Sequence, residues 1–389
     1  MHFLFGLLNL PIWGYIVVAI AMMHFTVMGV TLYLHRDQTH RGLDLHPAVQ
    51  HVFRFWLWLT TAMVTRQWVA VHRKHHARCE TEEDPHSPQI LGLRKVLLEG
   101  AELYRAEARN PETVEKYGRG APDDWIERNL YSRWPLLGVV LMAVIDIVLM
   151  GAPGISIWGV QMMTIPLLAA GVVNGVGHYW GYRNYECKDA ATNVMPIGVI
   201  MGGEELHNNH HAFPSSARFS MRPWEFDIGW LYISVLKTFG LAKVRRVAPR
   251  PVIERGKPAD LDTVRAVLLN RLHVLRHYSH QVIQPVLEDE SRRQPMLAKA
   301  RKLLVRDSAL LDEQARKRLS ATLRDSRALR TVYEYRQQLQ ELWEGTAHNN
   351  EKLLQQFRDW CARAEASGIQ SLQEFARQLE GYRTQPQPA

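Results

Sequence analysis

The feature that most constrains the fold is a stretch without charge. From Phe3 to Leu34 there is no Lys, Arg, Asp or Glu, a run of 32 residues interrupted by Pro11. At 1.5 Å per helical residue, roughly 20 apolar residues cross the hydrocarbon core of a bilayer. Residues 12–34 therefore read as one membrane span, with residues 3–10 left as a short lipid-facing piece. No small-residue cleavage site follows, which argues against a removable signal peptide. Residues 134–150 and 157–180 are also apolar and flank a Gly151-Ala-Pro-Gly154 turn, so they read as a transmembrane hairpin. Asp146, inside the first of these, is expected to face protein or a cavity. Residues 47–65 are apolar as well but carry Arg54 at their centre. A central arginine costs at least about 2.5–3.5 kcal/mol in a spanning helix, so this segment reads as a helix in the cytosolic interface.

The mean hydropathy of −0.22 conceals this front half because the back half is charged. From Pro251 onward there are about 23 basic and 18 acidic residues, with Leu and Val at helical spacing in residues 296–329 and 353–379. The expected architecture is all-α: a helical integral membrane domain over residues 1–250 with a cytosolic histidine-rich part, then a C-terminal cytosolic helical extension over 251–389. The Pro/Gln-rich end from Arg383 is expected to be disordered. Three distant cysteines, Cys79, Cys187 and Cys361, exclude a disulfide framework and a cysteine-built zinc or iron–sulfur site. The net charge of +8 suits basic flanks against anionic lipid and gives no reason to expect a nucleic-acid partner.

Histidines carry the chemistry. They cluster as His35-Arg-Asp-Gln-Thr-His40, His72-Arg-Lys-His75-His76 and His207-Asn-Asn-His210-His211. Residues at i, i+3 and i+4 share one helix face, so each of the last two groups presents three imidazoles in one direction. His35 and His40 fall about 140° apart on a straight α-helix and meet only if the helix ends there. One histidine on a helix is ordinarily a surface or hydrogen-bonded residue. The repeated spacing beside membrane spans instead suits two metal ions a few ångström apart, each with four or five nitrogens. His178, with Asn174 one turn earlier, is a further candidate, though a histidine at a membrane interface reads the same way. If the clusters form one centre they lie on one side of the bilayer. Residues 47–65 then cannot span, and the hairpin returns the chain to the same side. Arg36, Arg41, Arg66, Arg73, Lys74 and Arg78 place that side in the cytosol.

At these residues the chain resembles the integral-membrane fatty-acid desaturases, in particular the acyl-CoA (stearoyl-CoA-like) delta-9 branch, and a bacterial one. The resemblance lies in the H-x4-H, H-x2-H-H and H-x2-H-H boxes, and covers roughly residues 12–250. It extends to Glu80-Thr-Glu-Glu-Asp84-Pro-His86, Asn174-x3-His178 and Trp224-Glu-Phe-Asp227. It implies two iron ions held by His35, His40, His72, His75, His76, His178, His207, His210 and His211, with Asn174 acting through a metal-bound water. Trp68 matches a tryptophan of the acyl tunnel. Tyr179 and Trp180 are further tunnel or mouth candidates, or else lipid-interface aromatics. Asp37, Asp84, Glu204 and Glu205 are candidates to orient imidazoles, or else exposed acids.

The activity implied is insertion of a cis double bond, at the delta-9 position, into a long saturated acyl chain, with O2 as co-substrate. The alternative is a membrane di-iron fatty-acyl or alkane hydroxylase. There is no haem-attachment motif or flavin fingerprint, so electrons are expected from a separate ferredoxin or NAD(P)H-dependent reductase. The implied location is the bacterial inner membrane, with the active site on the cytoplasmic face. Where the family carries Arg-Asp before its second box, this chain has Ala70-Val71. A phospholipid-linked substrate therefore stands beside acyl-CoA.

Overall fold

The structure, a computed structural model, describes residues 2–344 and 350–384. It is mostly helical and divides into two compact bodies: Met1–Arg183 with Asp189–Ala248, and Asn184–Lys188 with Pro249–Ala389.

In the first body, α1 (His2–Phe5) precedes α2 (Ile12–Met28), which continues without a break as a π-helix over Gly29–Thr39. Then come α3 (Pro47–Thr61), α4 (Thr65–Arg78), α5 (Pro88–Leu91), α6 (Leu93–Ala108) and α7 (Pro111–Tyr117). The hairpin follows as α8 (Pro135–Met150) and α9 (Ala152–Ile165). The latter runs on as a π-helix over Pro166–Val173 and a 3-10 turn over Val176–His178. Last are the short α10 (His207–Ala212) and α11 (Ile228–Thr238). Among the described residues two helical stretches are long and apolar enough to cross a membrane, Ile12–Thr39 and Ala152–His178, and Pro135–Met150 is a shorter apolar helix.

The apolar segment before Pro11 is tied down. Leu7 and Leu8 donate their amides to the carbonyls of Val148 and Leu149 at the end of α8, which no intrahelical amide could reach. Asp146 is fully buried. Close approach of backbones sets the spacing of the bundle. A Cβ at Gly100 on α6 would lie 2.5 Å from the Ala170 carbonyl, and one at Gly138 on α8 would lie 2.3 Å from that of Trp58.

Arg54 is answered by protein. It is 6 % exposed and bonds Asp124 at 2.6 Å and Glu127 at 2.9 Å. The arginine therefore does not by itself dictate where α3 lies in a bilayer. The Arg54 guanidinium also holds the Asp124 carboxyl down at about 2. A depressed carboxyl stabilises the fold above its ordinary value and loses that contribution as pH falls through the depressed one. Asp124→Asn should therefore lower the thermal midpoint in detergent at pH 7, and the gap to wild type should close between about pH 5 and about pH 2.

Arg36 and Arg73 likewise turn inward. Arg36, 1 % exposed, forks onto Asp227, caps the carbonyls of Gly202 and Ala217, and lies 3.7 Å over the Phe219 ring. Arg73 donates to the carbonyls of Gln38, Thr39, Tyr117 and Arg119. Lys74 pairs with Glu107. These three side chains brace the box region from within, so they are weak markers of which side of a bilayer they occupy.

The second body has its own core, around Tyr278, Leu329, Leu339, Trp360 and Phe375. Its helices run from Leu261–Leu269 to Gln370–Glu380. Val252–Ile253 pairs antiparallel with Tyr382–Arg383. Arg383, expected to open a disordered end, is thus a buried strand residue, and Thr384 bonds Asp262. Residues 385–389 lie outside the described residues.

Candidate metal centre

Four elements carry the histidines. The first pair lies on the π-helix, whose wider turn bonds residue i+5 to residue i: the His40 amide donates to the His35 carbonyl at 3.0 Å. Five residues apart is therefore one turn here, and the 140° divergence of an α-helix disappears. His72, His75 and His76 share a face of α4. His207, His210 and His211 open and fill α10. His178 sits in the 3-10 turn that ends the α9 rod.

All nine rings converge in two sets. His35, His40, His72, His76 and His210 have ligand atoms within 4.8 Å of one another, as do His75, His178, His207 and His211. In the first set Nε2 meets Nε2 along a chain, from His40 through His72 and His76 to His210 and His35, at 2.9–3.1 Å. In the second, His178 Nε2 lies 3.2 Å from that of His75 and 2.9 Å from that of His207. His211 Nε2 is buried with no hydrogen-bond partner among the described residues.

Carboxylates decide the tautomers. Nδ1 of His35 lies 2.7 Å from Glu204, Nδ1 of His75 2.9 Å from Asp84, Nδ1 of His178 3.0 Å from Glu80, and Nδ1 of His211 3.1 Å from Asp189. A carboxylate needs a donor, so each of these Nδ1 atoms carries the proton and each Nε2 turns a lone pair inward. Lone pairs facing each other at 2.9–3.2 Å repel, and a cation between them removes the conflict. Burial, reinforced by the neighbouring rings, pushes His40, His72, His76, His207, His210 and His211 below the ordinary imidazole range, which keeps them neutral and ready to bind. Burial would lower His75 too, but the Asp84 carboxylate, with Glu80 and Asp189, outweighs it and holds His75 above that range. The donor set therefore fits metal ions that bind imidazole, such as iron or zinc. Asp84→Asn should weaken metal binding about 10–100-fold, read by metal competition on the purified protein.

Of the four acids expected to orient imidazoles, Asp84 and Glu204 lie against ring nitrogens. The other two turn elsewhere. Asp37 accepts from Gln38 and Gln50, and Glu205 accepts the backbone amides of Met201 and Gly203. Glu80 and Asp189 take the positions that sequence reasoning missed. Glu80 stood in an acid-rich segment of which only Asp84 was marked, and Asp189 in a loop with no motif. Cys79 was missed as well: its sulfur is 3.9 Å from His75 Nε2 and from His178 Nδ1. Glu225 and Asp227 of the post-box segment hold Asn209 of α10 and Arg36 of the π-helix, and so lock two boxes together.

Beside the centre lies a cavity of about 760 Å³. His35, His72, His207, Asn174 and Glu204 line one part of it, and Trp68 stacks on His72 at 4.9 Å on its wall. A single stripe of the α9 rod runs along it, from Trp158 through Met162, Ile165, Ala169 and Val173 to Asn174. At 1.5 Å per residue this stripe is roughly 24 Å long. Tyr179 and Trp180 do not line it. They follow the last helical turn and are 58 % and 68 % exposed.

Residues 11–234 match the fatty acid desaturase family. The chain belongs to that family. It is 31 % identical over 219 residues to a probable chloroplastic lipid desaturase of Arabidopsis thaliana, covering 55 % of this chain and 58 % of that protein. It is 30 % identical over 230 residues to delta-9 acyl-lipid desaturase 1 of the same plant, covering 57 % of this chain and 73 % of the relative. With the sn-1 stearoyl-lipid 9-desaturase of Anabaena variabilis it shares 28 % over 240 residues, 61 % of this chain and 86 % of the relative. The alignment thus spans less than two thirds of the first of these relatives. Proteins so named are oxidoreductases. Residues 262–385 are similar to a transposase family, over about a third of the chain.

Proposed function

We propose that this desaturase is a membrane-bound, di-iron enzyme that places a cis double bond, at the delta-9 position, in a long saturated acyl chain carried on CoA or a phospholipid. The observation that carries the reading is the pair of inward-facing Nε2 sets beside one long apolar cavity. The names of the relatives, delta-9 acyl-lipid and stearoyl-lipid 9-desaturases among them, support the position of the bond.

The apolar rods support membrane insertion. Ile12, Ile16, Val17 and Ile20 of α2, and Leu136, Val140 and Val144 of α8, are exposed. Apolar surface in such stripes belongs in lipid. Residues 12–34, 135–150 and 152–173 would then be embedded, with α3 at the interface and the histidine region on the cytoplasmic face.

The balance of the reaction is R–CH2–CH2–R′ + O2 + 2e⁻ + 2H⁺ → R–CH=CH–R′ + 2H2O. Two electrons come from the substrate and two from a separate donor, a ferredoxin or an NAD(P)H-dependent reductase. Bound iron would supply the oxidising power toward an unactivated C–H bond that no side chain has. Nine imidazoles would hold the two ions, with Asn174 reaching one through a water. Trp68 and the α9 stripe hold the chain and exclude water, and Asp84, Glu204, Glu80 and Asp189 fix ring orientation. The test is expression in a host with saturated lipids and mass analysis of its lipids and CoA esters. A monounsaturated product on one of these carriers is expected. A hydroxylated product would favour the hydroxylase instead, and no change in acyl composition with both ions loaded and an electron donor supplied would overturn the reading.

A further inference from the structure

The net charge of the chain is concentrated in one stretch of the C-terminal body. Residues 292–330, all of that body, carry twelve basic and four acidic side chains, a surplus as large as the +8 of the whole protein. Of the twelve, all but Arg306 are exposed. Arg293 pairs with Asp289 and Glu290, and Lys317 with Glu313. Arg292, Lys299, Arg301, Lys302, Arg324 and Arg327 have no acidic partner among the described residues.

The fold draws several of these charges toward one apolar side chain. Gln294 ends the helix Gln284–Arg293, and its Nε2 donates at 3.5 Å to the carbonyl of Asp325, the last residue of the helix Glu313–Asp325. The 3-10 turn Pro295–Ala300 follows, with φ of Pro295 fixed by its ring. Leu297 and Ala300 are buried in the core of this body, and the Leu297 amide donates to the Gln294 carbonyl. Met296 is thereby held outward and is 92 % exposed. Arg292 and Arg293 precede it by one turn, Lys299 follows it by three residues, and Arg324 and Arg327 flank Asp325. Arg292 and Arg301 line one groove of about 420 Å³, where the buried Ser291 hydroxyl has no hydrogen-bond partner among the described residues. Glu288, the acid on that wall, accepts from Gln284.

An anionic leaflet presents a plane of negative head groups with hydrocarbon directly beneath. The arginines and lysines match the phosphates, and the methionine matches the head-group boundary below them. Nucleic acid offers phosphates too, but it takes up an apolar side chain only by unstacking bases. We infer that the face around Met296 binds the surface of an anionic phospholipid bilayer. The inference concerns this face alone, holds for whichever bilayer it meets, and does not rest on the chemistry proposed for the histidines.

The test uses the full chain in lipid nanodiscs, with Met296→Cys carrying an environment-sensitive fluorophore. The wild-type chain treated in the same way gives the background from Cys79, Cys187 and Cys361. Phosphatidylglycerol is supplied at roughly one third of the lipid, either in the nanodisc or in vesicles added to zwitterionic nanodiscs. In at least one arrangement emission should move to the blue and rise at least about threefold over zwitterionic lipid alone. About 0.5 M NaCl, which confines electrostatic attraction to a few ångström, should remove most of the rise. Arg292→Gln, Lys299→Gln and Arg327→Gln combined should do the same. Emission that stays water-like in both arrangements would overturn the inference. So would an equal rise on zwitterionic lipid, since charge would not then be the cause, or a response to duplex DNA with none to phosphatidylglycerol.

Discussion

His75→Ala should abolish unsaturated product, a fall of roughly a thousandfold or more, equivalent to about 4 kcal/mol of transition-state stabilisation. His75 brings Nε2 into the four-histidine set while Asp84 holds its other nitrogen. Removing the ring leaves His178, His207 and His211 to hold that ion, and takes from the Asp84 carboxylate its ring N–H donor, leaving it the amides of Glu80 and His86. Metal content should drop from two ions per chain toward one. His86→Ala is the matched control. His86 is equally buried and stacks on His75 at 4.4 Å, yet it belongs to neither set. It should keep both ions. Full product from His75→Ala, or loss of metal from His86→Ala alone, would contradict the assignment.

Ala169→Trp should silence the enzyme by a different route. Ala169 lies in the α9 stripe on the cavity wall, between Ile165 and Val173. A tryptophan there fills the space a long chain needs close to the ions, and overpacking cannot be relieved where Gly100 and Ala170 already touch backbone to backbone. Product from long-chain substrates should fall at least about a hundredfold, roughly 2.7 kcal/mol, with two ions per chain retained. Metal analysis on the same sample separates this variant from His75→Ala. Unaltered turnover of long chains would show that they bind elsewhere.

The histidines of the second and third boxes could be read from sequence because i, i+3 and i+4 are a property of any α-helix. The first box could not be placed so simply. The His35–His40 spacing suits a π turn, and no local composition announces that Gly29–Thr39 takes one. The orienting acids divide the same way. Asp84 lies nine residues from the His75 it orients, whereas Glu204, although next to the third box, meets His35 across 169 residues, and Asp189 reaches His211 across 22 residues from a loop without a motif. Arg36 shows a second limit. A charge beside a box reads as a head-group contact until its distant partner, Asp227, is seen. Tyr179 and Trp180 read as tunnel or mouth residues or else as lipid-interface aromatics, and their sequence does not show that the rod ends at His178 and leaves both exposed.

The ring of four carboxylates behind the imidazoles has an electrical consequence. Glu204, Asp84, Glu80 and Asp189 together supply four negative charges to a group of neutral ligands, which balances two ferrous ions. Oxidising both would leave the cluster with a surplus of two positive charges in a medium that solvates charge poorly. With iron as the bound metal, as proposed, this charge balance would favour the ferrous pair. A mild reductant should suffice to restore it after each turnover, and neutralising any one of the four acids should make the oxidised pair still harder to sustain.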